Sequence, residues 1–453
     1  MSAPPENVFG LSGLFARAKP VLRPLARATL GKLPAPAARL TGALAKHGGT
    51  PVRDLRLRPW ANVNDGNAAR WRARAQAMFR NIYVGGVEGL PQPLAEKFAQ
   101  AWAHYCGCRY GLLLGHGTDA LRIGLAALLE HDGLDYGGEI IVPNFSFIAC
   151  ASAALDRRFG VALVDVDPAT LLIDAKRVEE AIVPGKTRAI LPVHLFGQPA
   201  DMTGLRKIAI KHGLKIIEDA AQAHGARWEN ASVGSLGDAG AFSFQSSKNL
   251  ACGEGGALVT NDERVFERAY SMHNAGRALR DGGRWLHVSL GWNLRPTEYQ
   301  AALLALRLET FDAEQARRRR NFQRLREMMG ELACLAPLAQ HPGTSAHGMY
   351  MFAMRYRAEN CGRLAIDDFL DIVRAEGAPI YRAFETTIAG QPAIRDLAKA
   401  RPQYFRLLPT PVSDQAAGDT VYIPQNVFLG PAADMDDIVA AIGKVERHFS
   451  GRP

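Results

Sequence analysis

One lysine, Lys248, lies inside the run FSFQSSKNLACGEGGALVT (242–260), between two short apolar stretches and a group of glycines. An ammonium group in a half-buried turn loses water without gaining an obvious partner, which is costly. Partial desolvation and nearby positive charge make the amine of a lysine nucleophilic enough to form a Schiff base with an aldehyde. Lys248 is therefore a candidate for covalent chemistry, and Ser243, five residues earlier, is a candidate for the same site.

An acidic residue, Asp219, follows the apolar positions of the run KIIEDAA (215–221). A carboxylate at the end of a buried strand needs a cation or several hydrogen-bond donors, since otherwise it takes up a proton. A protonated heterocyclic nitrogen suits it, through a charge-assisted hydrogen bond worth roughly 1.5–3 kcal/mol. A helix cap or a structural ion pair is the alternative. Gln222 and His224 are close enough in sequence to line the same pocket.

A phosphate seat is the third candidate feature. In the stretch GHGTDALRIGLAALL, Gly115 and Gly117 precede Thr118, Asp119 and a run with helical apolar spacing. Free backbone N–H groups and the helix dipole at such a start favour an anion, above all a phosphate. Thr118 or Asp119 could equally cap the helix. This stretch alone leaves both interpretations open.

Two aromatic residues, Phe145 and Phe147, follow the apolar run IIVP. One of them could lie flat over a planar ring, although a core position is also typical of phenylalanine. Together the four stretches provide a phosphate seat, a flat aromatic, an acid for a pyridinium nitrogen and an imine-forming lysine. That combination describes a pyridoxal 5′-phosphate site.

These residues need a scaffold, and the sequence predicts a mostly parallel α/β sheet. Short β-branched runs alternate with amphipathic stretches such as AKRVEEAIV and MTGLRKIAIKHG, which favours right-handed crossovers and helices on both faces. Function gathers at the carboxyl edge of such a sheet, so the candidate residues should meet there. The predicted strands are EIIVP (139–143), VALVDVD (161–167), RAILPVHLFG (188–197), KIIEDAA (215–221), GAFSF (240–244) and GALVT (256–260).

We predict three parts in the chain: a basic Pro- and Ala-rich arm and lead-in (1–60), a large cofactor-binding domain (61–320) and a small C-terminal domain (321–453). The arm holds ten basic and two acidic residues, whereas the rest holds 44 basic and 43 acidic residues. We interpret the arm as a flexible tail, with organelle targeting or an acidic surface as alternatives. The four arginines at 317–320 indicate a solvated helix face rather than a nucleic-acid patch.

Composition bounds the class of protein. No apolar stretch approaches the ~18–20 uncharged residues of a membrane-spanning helix. The six cysteines include no CxxC pair, and Cys106-Gly-Cys108 is too tight and isolated for a zinc site, so no metal is predicted. This cysteine usage favours free thiols in a reducing cytoplasm.

The motifs together resemble those of the DegT/DnrJ/EryC1/StrS aminotransferases, which are sugar aminotransferases of the aspartate aminotransferase fold type I. The resemblance covers residues 48–445 and implies a mostly parallel seven-stranded sheet covered by helices, with a smaller C-terminal α+β domain. It is carried, in order, by GTDAL, VPNFSF, VDVDPATLLID, VHLFGQPADM, IIEDAAQAHGA, FSFQSSKNLACGEGGALVTND and GWNLRPTEYQAAL.

The resemblance implies a role for each candidate. Lys248 matches the lysine that forms the Schiff base and later moves protons, and Asp219 matches the acid at the pyridine nitrogen. Gln222 matches a residue near the ring hydroxyl, and Phe147 occupies the stacking position. The implied phosphate ligands are Gly117, Thr118, the backbone of Asp119, Ser243 and Asn293.

A shared active site follows from the same resemblance. Asn293 of GWNLR matches a phosphate contact that such enzymes donate from a neighbouring subunit, which implies a homodimer. Arg295 is a second candidate for the shared site. His194 of PVHLFG is expected to be structural, although it borders the pocket.

The implied reaction is a transamination through a pyridoxamine phosphate form. Glutamate or glutamine donates the amino group, and the acceptor is a keto sugar, commonly nucleotide-linked, or a keto cyclitol. The stretches KHGGTPVRDLRLRPW (46–60), HGMYMFAMRY (347–356) and YIPQNVFLG (422–430) are similar to a branch acting on inosose rings or making aminohydroxybenzoate. Gln425-Asn426 departs from an expected histidine, and Arg382 is equally a substrate contact or a surface arginine.

Three functions compete with that of an aminotransferase. A sugar dehydratase of this fold replaces the lysine with histidine, and Lys248 is present. An aminohydroxybenzoate synthase keeps the lysine, so the residues leave it open. A non-catalytic protein that binds the cofactor, with its arm on nucleic acid or membrane, is disfavoured by intact Lys248 and Asp219. We therefore expect an aminotransferase with small-molecule partners and no nucleic-acid partner.

Overall fold

The computed structural model describes residues 43–61, 68–79, 82, 93–279 and 286–450, and the basic arm up to residue 42 lies outside them. The helices are α1 (Ala68–Phe79), α2 (Pro93–Cys106), α3 (Gly117–Leu128), α4 (Ala149–Asp156), α5 (Ala175–Ala181), α6 (Met202–His212), α7 (Glu263–His273), α8 (Glu298–Met328), α9 (Ile366–Ala375), α10 (Pro392–Ala400), α11 (Pro411–Asp419) and α12 (Ala433–Ser450). The strands are β1 (Tyr110–Leu114), β2 (Glu139–Pro143), β3 (Gly160–Val164), β4 (Thr187–Ile190), β5 (Lys215–Asp219), β6 (Arg227–Trp228), β7 (Ala231–Ser232), β8 (Ala239–Ser243), β9 (Gly256–Thr260), β10 (Leu335–Pro337), β11 (Thr344–Ala346), β12 (Met351–Tyr356), β13 (Tyr381–Arg382), β14 (Phe405–Leu407) and β15 (Thr420–Pro424).

The large sheet has the strand order β1-β9-β8-β5-β4-β2-β3-β14. Strand β9 runs antiparallel to both of its neighbours, and the other pairings in the sheet are parallel. The predicted mostly parallel α/β fold is therefore confirmed. Seven strands come from the first part of the chain, the number that the resemblance implied, although β1 was not among the six runs predicted as strands. The sheet has an eighth strand, β14, because a three-residue segment of the C-terminal part pairs with β3; so short a strand carries no recognisable alternation.

Local sequence signals explain why the strand ends fall at one edge. Every residue of β2 and β3 is buried, as expected for parallel strands covered by helices on both faces. The crossover helix α6 is capped at its start by Asp201, whose side chain accepts the N–H of Gly204. It is capped at its end by Gly213, with φ of 65°, a left-handed conformation that favours glycine. These caps determine where α6 begins and ends between β4 and β5.

Helix α8 joins the large sheet to a smaller one. It spans 31 residues and starts with a capping box between Thr297 and Gln300. The small sheet has the order β10-β12-β15-β13, and a third sheet has the order β11-β6-β7. The proposed domain boundary near residue 320 falls inside α8 and stays a prediction. The prediction of a solvated face at 317–320 is wrong for Arg318, which is fully buried where α8 packs on the turn after β15.

The lead-in, residues 43–61, is fastened to the C-terminal helix. Arg53 is buried, and its Nη1 donates to the Asp434 carboxylate on α12 at 2.6 Å. Lys444, also on α12, donates to the buried Glu376 carboxylate at 2.9 Å, and that carboxylate also accepts two backbone N–H groups of the lead-in. This part of the chain is therefore built into the small-sheet region.

Two further findings concern the class of protein. The six cysteines are free. Among the helices described above, none is both long enough and apolar enough to cross a membrane.

Candidate active site

The predicted residues meet at the carboxyl edge of the large sheet. Asp219 is the last residue of β5, Ser243 is the last residue of β8, and these strands are neighbours. Helix α3 begins at Gly117, just beyond β1. A Cβ built on Gly117 would lie only 2.8 Å from the Cβ of Ser243, so this approach requires glycine. The fold thus brings together two parts of the predicted phosphate seat.

The start of α3 is free of side-chain caps. Its N-cap residue, His116, makes no capping hydrogen bond. Thr118 is exposed, and the carboxylate of Asp119 is bound by Arg122 at 2.9 Å. The alternative interpretation, in which Thr118 or Asp119 caps the helix, is therefore wrong. The uncapped backbone N–H groups at this start are suited to an anion.

The carboxylate of Asp219 is buried but poorly supplied with donors. Its side chain accepts one hydrogen bond within the described chain, from the N–H of Ala221 at 3.1 Å. Burial raises the pKa of Asp219, and the Ala221 N–H, Lys248 and His194 offset this only in part. A protonated heterocyclic nitrogen would supply both the missing donor and the missing charge. The site therefore fits the pyridinium that the sequence predicts.

His194 is structural, as the resemblance implied. It is fully buried, and its Nδ1 accepts the N–H of Ala200 at 3.0 Å. The ring proton therefore lies on Nε2, which donates to the Glu218 carboxylate at 2.8 Å. Its backbone N–H also donates to the carbonyl of Asp219, which ties this turn to the site.

Lys248 has a partner that sequence analysis missed. Its Nζ lies 3.4 Å from the hydroxyl of Tyr350 and 4.5 Å from the centre of that ring. The Oγ of Ser247 lies 3.0 Å from the same hydroxyl. Tyr350 therefore holds the ammonium group by a hydrogen bond and a cation–π contact. The run HGMYMFAMRY contains Tyr350, but no spacing signal joins residues that are 102 positions apart.

The two aromatic residues after β2 differ in their exposure to solvent. Phe145 is buried and packs edge-on against Phe384, at 5.2 Å between ring centres. Phe147 is 59% exposed, which is unusual for so large an apolar side chain and leaves its ring available for a ligand. Gln222 is buried, and its Oε1 accepts the N–H of Phe196 at 2.8 Å. Its Nε2 is the part of that amide left to face a ligand oxygen.

Three predicted or considered residues are not brought to Lys248 within this chain. Asn293 is exposed and forms an isolated bridge with Asn274, and its side chain makes no hydrogen bond to the other predicted site residues in the described ranges. Arg295 donates to the Oδ1 of Asn274 at 2.7 Å. Arg382 lies 3.5 Å from the carboxylate of Asp367. Arg382 is thus engaged in an ion pair on the small-sheet side.

His224 is buried among Trp102, Phe242 and Phe244, with ring centres 5.6–5.7 Å away. Neither ring nitrogen has a hydrogen-bond partner of good geometry in the described structure. Burial lowers the pKa of His224 to about 3, and the nearby backbone of Ser243 opposes this only in part. The imidazole is therefore neutral, and unlike a typical structural histidine it is not satisfied.

The chain is similar in sequence and in structure to known aminotransferases. The profile of the DegT/DnrJ/EryC1/StrS aminotransferase family matches residues 72–443. An L-glutamine:2-deoxy-scyllo-inosose aminotransferase of Streptomyces fradiae is 37% identical over 373 residues, covering 78% of this chain and 86% of its own. The enzyme of the same name from Streptoalloteichus tenebrarius is 35% identical over 422 residues, covering 89% and 98%. The solved structure of Streptomyces venezuelae DesV in complex with a ketimine intermediate is 29% identical, covers 89% and 99%, and superposes with a TM-score of 0.73.

Proposed function

The chain belongs to the DegT/DnrJ/EryC1/StrS aminotransferase family and is an aminotransferase, and from this premise we propose that it transfers the amino group of L-glutamine to a keto cyclitol. The observation that supports the cofactor chemistry of this reaction is the buried carboxylate of Asp219, which accepts one hydrogen bond in the described chain at the edge where Lys248 lies. The relatives' names supply the donor and the acceptor class. Glutamate as donor and a nucleotide-linked keto sugar as acceptor are the alternatives to test.

We propose that pyridoxal 5′-phosphate binds at this edge. When bound, it supplies an aldehyde that condenses with amines and a protonated ring that withdraws electrons. The N–H groups at the start of α3 (Gly117, Thr118, Asp119) and the Ser243 hydroxyl would hold its phosphate.

Asp219 would keep the proton on the ring nitrogen, Phe147 would cover one face of the ring, and Gln222 would donate its Nε2 to the ring oxygen. Of these side chains, that of Asp219 is the most selective for the charge of its ligand. A buried carboxylate with a single donor favours a cationic partner.

Lys248 performs the proton transfers in the proposed mechanism. Its amine would hold the cofactor until a donor amine arrives and, once free, would take the proton from the α-carbon of glutamine. One positioned acid–base group commonly contributes ~10²–10⁴-fold to a rate. The hydroxyl of Tyr350, 3.4 Å from Nζ, would keep the released amine in place. In the net reaction, glutamine becomes the 2-oxo acid amide, and the carbonyl carbon of the cyclitol becomes an amine-bearing carbon.

A homodimer is part of the proposal. Asn293 is exposed in one chain, so it is available to complete the phosphate seat of a second copy. Free cysteines suit a reducing cytoplasm, which is the compartment we propose. The division into a large domain (61–320) and a small domain (321–453) is likewise proposed rather than observed.

The test supplies the purified protein with pyridoxal phosphate and L-glutamine, together with 2-deoxy-scyllo-inosose, scyllo-inosose or a nucleotide-linked keto sugar in separate reactions. We expect the amino cyclitol by mass spectrometry, and no amine with Lys248→Ala. Amination of the nucleotide-linked sugar alone would contradict the acceptor class. Borohydride reduction and peptide mapping should label Lys248, and a label at another residue would contradict the site.

A further inference from the structure

Arg318 on α8 is a fully buried arginine that orients two side-chain amides. Its Nε donates to the Oε1 of Gln425 at 3.0 Å, and its Nη1 donates to the Oε1 of Gln315 at 3.0 Å. A guanidinium has only donors, so both amides must turn their oxygens towards it. The orientation of Gln425 and Gln315 is therefore fixed by the charge between them.

The amide of Gln425 reaches the residue before Lys248. With its oxygen held by Arg318, its Nε2 faces the carbonyl oxygen of Ser247, at 3.4 Å. Gln425 is 4% exposed, so water has little access to compete for its bond with the buried Arg318. Gln425, which stands where the family resemblance led us to expect histidine, thus contacts the residue that precedes Lys248.

The amide of Gln315 reaches the residue after Lys248. Its Oε1 also accepts from the Nδ2 of the fully buried Asn249, at 3.1 Å. Its Nε2 donates to the carbonyl of Gly348 at 3.0 Å, and Asn249 donates to the same carbonyl at 2.8 Å. The same contacts therefore also hold the chain two residues before Tyr350.

We infer that these four residues, Arg318, Gln315, Gln425 and Asn249, are a positioning network for Lys248. The network holds the backbone carbonyl of Ser247 on one side of Lys248 and the side chain of Asn249 on the other, so that the amine moves while its neighbours stay in place. A displacement of a reacting group by about 1 Å can cost ~10²-fold in rate, which gives such restraint a catalytic value. This inference rests on the role proposed for Lys248.

The experiment uses substitutions at two neighbouring amides. Gln425→Met removes both hydrogen bonds at similar volume, whereas Gln425→His retains one acceptor and one donor on its two ring nitrogens. The matched control is Asn426→Leu, because the amide of Asn426 donates to the carbonyl of Ala61 at 2.8 Å, away from the Lys248 turn.

Two measurements separate positioning from general stability. In the cofactor-free protein, hydrogen–deuterium exchange of the peptide around Lys248 should rise in Gln425→Met and stay unchanged in Asn426→Leu. In the loaded enzyme, the single-turnover rate with L-glutamine should fall about 10–10²-fold in Gln425→Met, with little change in the glutamine KM. Gln425→His should restore both values to near those of the wild type.

Equal losses in Gln425→Met and Asn426→Leu, or failure of Gln425→His to restore the rate, would overturn the positioning role. Borohydride labelling of the wild-type protein distinguishes this from a failure of the proposed function. If Lys248 is labelled and the substitutions behave alike, the network inference fails and the proposed function stands. If another residue is labelled, the proposed function fails first.

Discussion

Two adjacent carboxylates on β5, Glu218 and Asp219, are both buried and are supplied with hydrogen bonds very differently. Successive side chains of a strand point to opposite faces, so the two groups face different surroundings. Glu218 accepts from His194 and from three backbone N–H groups, those of Gly234, Leu236 and Gly237. Asp219 accepts from one. The protein therefore supplies Glu218 with four hydrogen-bond donors, whereas Asp219 has oxygen lone pairs that could accept further hydrogen bonds.

A third buried carboxylate shows which of the two is the exception. Asp165, just after β3, accepts from the N–H of Val166, the N–H of Val412, and both the N–H and the hydroxyl of Ser413. Saturation is therefore the structural pattern at this edge, as burial of a charge requires. Asp219 departs from this pattern, which is why we propose that a ligand completes its bonding.

The largest effect should come from Asp219→Asn, which tests the unsaturated side of the comparison. We expect transamination to fall by about 10²–10³-fold, because the neutral amide cannot stabilise a ring proton. The cofactor-free protein should keep its thermal stability or gain some, since an unpaired buried carboxylate is removed. Steady-state kinetics and thermal unfolding measure the two effects. A loss of stability in the cofactor-free protein would mean that Asp219 is a structural acid like Glu218.

The saturated side is tested by Glu218→Gln. Replacing the carboxylate places an NH₂ group against N–H donors and breaks the pair with His194, so the free energy of unfolding should fall by about 3 kcal/mol. Denaturant unfolding measures this loss. Activity per folded molecule should change little, because Glu218 faces away from Lys248. A large fall in kcat with unchanged stability would reverse the assignment of the two carboxylates.

His224 sharpens the comparison, because it is a buried group without a hydrogen-bond partner in the described structure and is packed among aromatic rings. Burial lowers the pKa of His224 from 6.5 to about 3. Between pH 3 and pH 6.5, the histidine is therefore protonated in the unfolded chain and neutral in the folded chain. Stability is therefore lost as pH falls through this window. His224→Phe should recover about 2 kcal/mol at pH 5, measured by denaturant unfolding.

His347 provides the matched control for that substitution. Burial lowers the pKa of His347 to about 3 as well, but its Nδ1 accepts the N–H of Met349 at 2.9 Å. His347→Phe should therefore lose about 1–3 kcal/mol at neutral pH, where His224→Phe loses little. Equal losses at neutral pH would show that His224 has a partner after all.

The smallest effect on activity is expected for Tyr350→Phe, which changes a residue in contact with Lys248. The ring and its cation–π contact stay, and only the hydroxyl bonds to Ser247 and Lys248 are lost. A net hydrogen bond is worth about 1 kcal/mol, so kcat should fall roughly tenfold or less. Tyr350→Leu, which also removes the ring, should fall further. Identical kinetics of Tyr350→Phe and wild type would remove the hydroxyl from the mechanism.

The sequence predicted those features whose signals are local. Apolar β-branched runs located the parallel strands, and polar residues at the ends of those runs located Asp219 and Ser243 at the shared edge. Contacts between distant segments could not be predicted, as with Tyr350, which reaches Lys248 across 102 positions. The arginine run at 317–320 gave no indication that Arg318 turns inward, because four identical residues carry no amphipathic pattern. Strand β14 was missed because three residues are too few to alternate.

The contact between the lead-in and α12 determines when the lead-in can fold during synthesis of the chain. Arg53 and its partner Asp434 are 381 residues apart, so one of the earliest described segments finds its place only when one of the last is available. At about 5–20 residues per second, a ribosome takes roughly tens of seconds to span that interval. The large sheet needs little from α12 and can assemble meanwhile. A nascent chain halted just short of α12 would thus carry a complete large sheet, while Arg53 of the lead-in would still lack the carboxylates of α12.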